Sequence, residues 1–393
     1  MISELALALV VAAAASLLFG QICVRLHEAT QSKRYAAQRR RRQEIFARLQ
    51  DRFKLPPYQP YARADGLLDL VASAHLTSIA AQRRYQRQIV RSSASLALAF
   101  VALAASVTLA HNFPTVKKVL TSIDLIALIF VLYHFVTARR SLSLWIDSRV
   151  RTELLRQYVF LSVLFPSAPE FSAALDLTSS FEKEQERIDR EIINPLRGNL
   201  AEAIRIFWKL RYKTIHRIST ETHDLNPNLL RLYFNDRCLK QVAWFSASRE
   251  RVNRIDENRV LLLKVLYGTS IVLASAKLIS LYAPLQLDLP LVEMLALALL
   301  ITTGGAAALT AFYVGQNARS LIHRYHAQEL DAMQWVNDFD ASYRNDLMVV
   351  MNGDTFRANN EMRTAILHFE GLMIKELTDW VDISEHDSIE LGP

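Results

Sequence analysis

The sequence predicts an all-α membrane protein, and three observations lead to that class. The chain of 393 residues is 51% hydrophobic, with a mean hydropathy of +0.11, and its apolar residues are gathered into blocks. Such blocks are long enough to cross the roughly 30 Å hydrocarbon core of a bilayer as helices. Glycine and proline number only 10 and 11, and the segments between the blocks have helical rather than alternating periodicity. The blocks that could span a bilayer are residues 5–23, 95–112, 119–137, 260–282 and 291–314.

The distribution of positive charge predicts the orientation of the spans. Block 5–23 has no basic residue before it, so it lacks the charged start of a secretory signal peptide and is predicted to stay as an anchor. Arg25 follows it closely, and four consecutive arginines from Arg39 to Arg42 come next. Because basic residues accumulate on the cytosolic side of a membrane, we predict the N-terminus outside and the C-terminus in the cytosol.

The last four blocks form two pairs, and each pair predicts a transmembrane hairpin. Only short turns separate the two blocks of a pair, so their helices must be antiparallel neighbours. The stretches between the pairs are amphipathic or charged, which predicts cytosolic helices. The predicted organisation is an N-terminal transmembrane anchor at 1–24, a basic cytosolic segment at 25–94, a first hairpin at 95–138, a cytosolic helical domain at 139–258, a second hairpin at 259–314 and a cytosolic helical tail at 315–393.

The second hairpin is predicted to continue a long cytosolic helix. Asp224 or Asn226 can cap the start of this helix, and Pro227 suits its first position. No proline follows until Pro284, so nothing forces the helix to stop before the membrane. Residues 227–258 are amphipathic, which predicts a surface that contacts other helices.

Three charged residues lie towards the outer ends of the predicted spans: Asp124, Lys277 and Glu293. Charges inside a bilayer are costly and usually face a partner or water. One interpretation is that each side chain snorkels to the headgroups. The alternative is a charge cluster at the outer mouth of the helices, in which Lys277 pairs with Glu293 and has Asp124 as a second partner.

A run of small residues in the fifth span predicts close packing of helices. The face comprises Thr303, Gly304, Gly305, Ala307 and Ala308, and such side chains let two helix backbones approach each other. The face suits contacts within one chain and between chains alike. Together with the amphipathic helix before the hairpin, it offers more contact surface than one hairpin covers, so we predict a homo-oligomer.

The run Arg39, Arg40, Arg41 and Arg42 has three interpretations. A topology signal on a solvated face is favoured. A contact with anionic lipid headgroups is the sharper alternative, worth about 1 kcal/mol for each basic residue close to the surface. Nucleic acid is disfavoured as a partner, because the run lacks interleaved aromatic residues and the chain contains no recognised nucleic-acid module.

The sequence carries few signs of chemistry. It contains no glycine-rich phosphate loop, no HExxH and no G-x-S-x-G motif. His323, His326 and Glu329 share one helical face that could hold a metal, but a solvated or packed face is favoured because no further ligand lies nearby in sequence. Cys23 and Cys238 are predicted to be free thiols. We therefore predict no enzymatic activity, no metal and no cofactor.

A faint internal repeat follows the two hairpins. Arg140-Ser141-Leu142 after the first corresponds to Arg319-Ser320-Leu321 after the second. The repeat continues as Arg149 and Glu153-Leu154 in the first half and as Arg324 and Glu329-Leu330 in the second. A wider set of motif residues comprises Arg84, Tyr85, Trp145, Arg149, Glu153, Leu154, Leu155 and Arg156 in the first half, and Tyr233, Arg237, Gln241, Trp244, Phe245, Ala247, Arg251, Arg324, Tyr325, Glu329, Leu330, Phe369, Glu370, Glu376, Trp380 and Val381 in the second. Through these residues the second half resembles the SLATT class of two-transmembrane domains, and the first half resembles it less closely.

The SLATT class is known chiefly from bacterial nucleotide-signalled conflict systems. The resemblance implies a bacterial inner-membrane effector, with a role in antiphage defence, that oligomerises and perturbs the membrane or conducts ions. It also implies three partners: the lipid bilayer, further copies of the chain, and a cytosolic sensor or effector protein. The chain departs from the single-hairpin form of this class, and no nucleotide-sensing domain is recognisable in it. The alternative function is a non-conducting scaffold that recruits a cytosolic partner.

Overall fold

The computed structural model of the chain describes twelve ranges: residues 2–53, 62–109, 114–165, 177–193, 199–217, 224–225, 227–282, 296, 298–304, 318–351, 356–357 and 360–390. The helices are α1 (Ile2–Phe53), α2 (Ala62–Leu109), α3 (Pro114–Leu164), α4 (Leu177–Ile188), α5 (Leu200–Arg217), α6 (Pro227–Leu232), α7 (Lys240–Tyr282), α8 (Ala318–Met351) and α9 (Asn360–Glu390). Residues 298–304 are also helical. Two short strands, β1 (Asp224–Leu225) and β2 (Phe356–Arg357), pair in antiparallel register.

Within the described ranges, three helical stretches are long and apolar enough to cross a membrane. They are Val71–Ser106, Lys118–Ser162 and Leu230–Ala276, with mean hydropathies of 1.7, 2.2 and 1.5 in their most apolar windows. They contain most of the second, third and fourth predicted blocks, which confirms a helical chain with the character of a membrane protein.

The two remaining predicted blocks are only partly described. The first, 5–23, is helical as the start of α1, while most of its side chains lie outside the described residues. The fifth, 291–314, is described at 296 and 298–304 alone. The arrangement of the spans as two hairpins therefore stays a prediction.

The chain divides into two compact units. The span unit comprises Met1–Ala36, Gln82–Leu142 and Val252–Ser320, and it contains the most apolar helical segments. The core unit comprises Ala37–Ala81, Ser143–Arg251 and Leu321–Pro393. Each unit is assembled from three separate parts of the chain. The predicted basic segment at 25–94 contributes residues to both.

The helix that begins at Pro227 is continuous, as its composition predicts, but it is not uniform. Between α6 and α7 it widens into a π-helical segment over Tyr233–Leu239. Six of the seven residues in this segment are buried, with Asp236 as the exception. Nothing in the apolar periodicity indicates this change of winding, and short π segments inside α-helices are frequent at functional sites.

The core unit packs around a large aromatic cluster. Phe53 of α1 meets Phe234 edge to face at 5.8 Å, and Trp335 of α8 lies 4.7 Å from the rings of both Phe339 and Phe369. Rings in such pairs contribute beyond the area that they bury. The cluster thus joins residues from α1 to α9, so the core forms only when distant parts of the chain meet.

The span unit contains one very close helix contact. A Cβ added at Gly304 would overlap the ring of Phe100 on α2, whereas a Cβ at Gly268 on α7 would meet no atom within 4 Å. Ser270 donates a hydrogen bond to Thr302 across 3.0 Å, which ties α7 to the same helical segment. Hydrogen bonds of this kind join helices inside a membrane at about 0.6–2 kcal/mol each.

Candidate functional site

The most distinctive feature of the core unit is a buried carboxylate, Glu370 on α9, which is fully shielded from solvent. Arg237 holds it with a two-pronged contact, Nε to Oε1 at 3.0 Å and Nη2 to Oε2 at 2.9 Å. The Tyr233 hydroxyl donates to Oε1 at 3.0 Å, and Gln157 Nε2 donates to Oε2 at 3.4 Å. A buried charge requires this kind of pairing, because desolvation alone would make it very costly.

Local sequence explains how these groups meet. Tyr233 and Arg237 both belong to the π-helical segment, where they are four residues apart on one side of the helix. Glu370 follows Phe369 within the apolar stripe of α9, between Ile366 and Met373, so its carboxylate enters the core with the apolar side chains. The site therefore depends on one helix whose winding changes and on one charge placed in an apolar stripe.

A second buried carboxylate, Glu376, lies two turns further along α9. Its Oε1 accepts a hydrogen bond from Arg149 Nη2 and one from Arg324 Nη2, each at 3.1 Å. The Arg149 guanidinium also lies over the Trp380 ring, 4.0 Å from its centroid. Glu376 thus joins α3 and α8 through α9, which are three helices from both halves of the chain.

A third pair completes the site. Arg211 of α5 and Glu184 of α4 are both buried and form a direct ion pair. Arg211 Nη1 also donates to Gln157 Oε1 at 3.5 Å, and Gln157 in turn donates to Glu370. Gln157 therefore links the two ion pairs. We use the name buried ion network for these groups and the charged groups around them. Its members are Arg149, Glu153, Arg156, Gln157, Glu184, Arg211, Tyr233, Arg237, Arg324, Glu370 and Glu376.

The central part of the network carries more positive than negative charge. Its arginines at positions 149, 156, 237 and 324 face the carboxylates of Glu153, Glu370 and Glu376. Arg237 Nη1 is 3.6 Å from Glu153, too far for a hydrogen bond, and has no other acceptor among the described residues. The Tyr325 phenol lies near these arginines. Burial raises its pKa, and the positive charges of Arg149 and Arg324 oppose that rise.

The geometry suits holding helices in register. The carboxylates are each bound by arginine, and no group of three or more His, Cys, Asp or Glu side chains in the described ranges is placed to hold a metal. His326 and Glu329 instead both contact Arg249, at 2.6 and 3.0 Å. Breaking such a buried pair leaves an uncompensated charge, so the network holds α3, the π-helical segment before α7, α8 and α9 in one arrangement.

The structure describes only part of the predicted membrane charge cluster. Asp124 is half-buried on α3. Lys277 lies in the helical backbone of α7, but its side chain is outside the described residues, and Glu293 is outside them altogether. The pairing of Lys277 with Glu293 and Asp124 therefore stays a prediction.

The predicted small-residue face is described at two of its five positions. Thr303 donates a hydrogen bond to Ser270 at 3.4 Å, and Gly304 lies against the ring of Phe100. These contacts are made within one chain. Gly305, Ala307 and Ala308 lie outside the described residues.

The arginine run at the end of α1 includes one residue bound to protein. Arg41 makes a two-pronged contact with Glu250, Nε to Oε2 and Nη2 to Oε1, each at 3.0 Å. Arg39, Arg40 and Arg42 are exposed. Arg41 therefore ties α1 to α7 inside the core unit, a role that the sequence interpretation did not include.

Sequence reasoning assigned no role to Glu184 and Arg211, although a signal was present. Glu184 lies three residues after Phe181 and four before Ile188, and all three side chains are buried. Arg211 lies four residues after Phe207 and four before Ile215, and these three side chains are buried too. A charge at an apolar position of a helical stripe indicates a buried partner. The opposite charges of Glu184 and Arg211, each in such a stripe, could have suggested that the two side chains pair.

Comparison with known proteins finds no matching family model, no matching curated protein and no matching solved structure. The similarity to the SLATT class thus rests on the sequence motifs alone. The structure does bring many of those motif residues together. Tyr233 and Arg237 meet Glu370, Arg149 and Arg324 meet Glu376, Trp145 meets Trp380 at 5.3 Å, and Trp244 meets Tyr325 at 5.6 Å.

Proposed function

We propose that the chain is an oligomeric effector of the bacterial inner membrane that perturbs the bilayer or conducts ions across it. A role in antiphage defence or another conflict system is part of this proposal and rests on the resemblance to the SLATT class. The proposed partners are the bilayer, further copies of the chain and a cytosolic sensor or effector protein.

One observation carries the proposal: two of the three apolar helical stretches in the described ranges are scarcely covered by the chain itself. Only 11% of the apolar window in Lys118–Ser162 is buried, and 6% of that in Leu230–Ala276. Exposed side chains such as Leu132, Ile271 and Val272 are each more than 60% accessible. Apolar surface on this scale requires lipid or neighbouring helices. Lipid can cover this surface, and the proposal adds that further copies of the chain cover part of it.

Leakage from liposomes tests the proposal. Purified full-length protein should release a trapped dye or dissipate a potassium gradient from anionic vesicles, and it should have the mass of more than one copy by light scattering in detergent. Lys277→Ala should change leakage more than Lys264→Ala, because Lys264 can snorkel to the cytosolic headgroups while Lys277 is predicted to pair with a carboxylate. Intact vesicles at high protein content would refute the effector function, and equal effects of the two substitutions would remove the charge cluster from it.

The second candidate is a non-conducting scaffold that recruits a cytosolic partner. It is favoured by Ile206 and Leu210 of α5, which lie one turn apart on the core unit and are 50% and 55% exposed. Exposed apolar pairs at helical spacing are typical of helix-binding surfaces. A protein that assembles in liposomes without causing leakage would favour this function over the first.

The proposed orientation places the N-terminus outside and the C-terminus in the cytosol. It rests on the basic residues at 25–54, 83–91, 139–156 and 237–264. An alkaline phosphatase fused after Pro393 should be inactive, and a green fluorescent protein at the same position should fluoresce. Phosphatase activity at this end would reverse the orientation.

A further inference from the structure

The outward face of α5 in the core unit combines apolar and basic side chains. Ile206 and Leu210 are four residues apart, so they lie on the same side of the helix, 50% and 55% exposed. Beside them, Lys209 and Lys213 are exposed at the same spacing, and neither forms a hydrogen bond or an ion pair with another described residue. The face therefore presents a stripe of apolar surface next to a stripe of positive charge.

The outward face of α8, also in the core unit, carries the opposite charge. Leu330 is 56% exposed. Asp331 and Asp338 border it on one side, both exposed and neither paired with a basic group among the described residues. In the groove next to them, Lys375 and Asp379 of α9 have opposite charges, so the two aspartates set the sign of the surface. This face is thus the electrostatic complement of the α5 face.

The direction of α5 is fixed by its contacts with α9. Arg205, early in α5, donates to Asp382, late in α9, at 2.8 Å. Trp208 follows one turn later on α5, and a Cβ added at Gly371, earlier on α9, would lie 3.6 Å from its Nε1. The two helices are therefore antiparallel.

The direction of α8 is fixed in the same way. Arg324, early in α8, donates to Glu376 at 3.1 Å, whereas Trp335, later in α8, donates to the carbonyl of Ala365, earlier on α9. Because α5 and α8 both oppose α9, they run in the same direction within one chain. A rotation about an axis along these helices preserves that direction, so α5 of one copy can contact α8 of the next only in parallel.

Parallel packing places the complementary edges of the two faces together. On a right-handed helix seen from outside with its N-terminus down, the lysines lie to the left of the apolar pair on α5, and the aspartates lie to the right of Leu330 on α8. When such faces meet in parallel, the left edge of one contacts the right edge of the other. With Leu330 seated between the apolar pair, a rise of about 1.5 Å per residue places Lys209 level with Asp331. Lys213 is then about 4–5 Å short of Asp338, within reach of its side chain.

We propose that the α5 face of one copy binds the α8 face of a second copy in parallel, so that core units join head to tail. The proposal rests on the oligomeric state in the proposed function and adds the surfaces that form it. The charged edges fix the orientation and register, and the apolar side chains lose contact with water. A contact between two different surfaces closes into a ring when the rotation between copies completes a circle. The apolar pair on α5 is then covered by another copy instead of a cytosolic partner.

Cross-linking between single-cysteine variants tests the contact. Two differently tagged full-length chains are co-expressed in a Cys23→Ser background that retains the buried Cys238, one with Leu210→Cys and one with Leu330→Cys. Oxidation in membranes should give a dimer with both tags, because a disulfide forms between Cα atoms within about 7 Å. Neither variant alone should link, since the contact joins different surfaces. Ala341→Cys, about three turns beyond Leu330 on the same exposed face, is the matched control and should not link.

Charge reversal is the second arm of the test. Lys209→Glu, added to the chain with Leu210→Cys, should lower the linked fraction about two- to fivefold, because the new carboxylate faces Asp331. Asp331→Lys in the other chain should have the same effect, and the two reversals together should restore linkage. Both positions are exposed, so neither change disturbs the core.

Light scattering in detergent separates this proposal from the proposed function. Four outcomes would each overturn the contact between α5 and α8: no dimer with both tags, linkage of either variant alone, equal linkage at Ala341, or no rescue by the paired reversals. If the mass still corresponded to several copies, the oligomeric function would stand, and the α5 face would be left to the cytosolic partner of the scaffold function. A monomeric mass would refute both proposals.

Discussion

Glu370→Gln is expected to destabilise the core unit by about 3–5 kcal/mol, because it removes one partner of a fully buried ion pair and leaves Arg237 with only the more distant Glu153 as counter-charge. For a unit of this size, such a loss corresponds to a fall in apparent Tm on the order of 10 °C. Thermal unfolding of the full-length protein in detergent, followed by tryptophan fluorescence, measures it. Trp335 and Trp380 are both buried in the core unit and report on its packing.

A graded series distinguishes the buried pair from a general effect of substitution. Tyr233→Phe removes one hydrogen bond to the carboxylate but leaves the charges paired, so it should cost less, about 1.5–3 kcal/mol. Asp382→Asn breaks an exposed contact with Arg205 and should cost about 0–1 kcal/mol. If Glu370→Gln lowered the Tm no more than Asp382→Asn, the buried ion network would contribute little to the fold.

Gly304→Leu is expected to disrupt the span unit, because a side chain at this position overlaps the ring of Phe100. Forcing extra atoms into a packed contact typically costs about 1–3 kcal/mol. The substitution adds an apolar side chain and so does not weaken insertion into a bilayer by itself. A lower denaturation midpoint in mixed detergent, followed by loss of helical circular dichroism, would record the effect.

Gly268→Leu is the matched control for this substitution. It makes the same change on α7, where an added Cβ meets no atom within 4 Å, and should leave the midpoint nearly unchanged. Combining Gly304→Leu with Phe100→Ala should restore part of the lost stability, because the smaller side chain makes room for the leucine. Equal midpoints for the two leucine variants, or no rescue, would show that the contact between Gly304 and Phe100 does not limit the packing of these helices.

The elements of the fold could largely be predicted from sequence, because their causes are local. The helix expected from Pro227 begins there. Apolar blocks of sufficient length likewise predicted the second, third and fourth spans. The π-helical turn at Tyr233–Leu239 could not be predicted, since its winding depends on what the buried side chains meet.

The candidate site was predictable in some of its members but not in its connections. Tyr233, Arg237 and Glu370 were singled out as motif residues, yet nothing in the sequence paired them. Arg237 and Glu370 are 133 positions apart. Glu376 joins Arg149, 227 positions away, to Arg324, 52 positions away. Pairing at such separations depends on how helices pack, and periodicity carries no information about it.

By itself the sequence determined the helical class and the membrane character of this protein, because length, hydropathy and capping act within one segment at a time. Only the tertiary structure decided which charges enter the core. A charge within an apolar helical stripe can mark a buried position, but the sequence does not identify the group that pairs with it. Burial is stable only when another helix supplies the opposite charge, and that partner is brought into place by the fold as a whole.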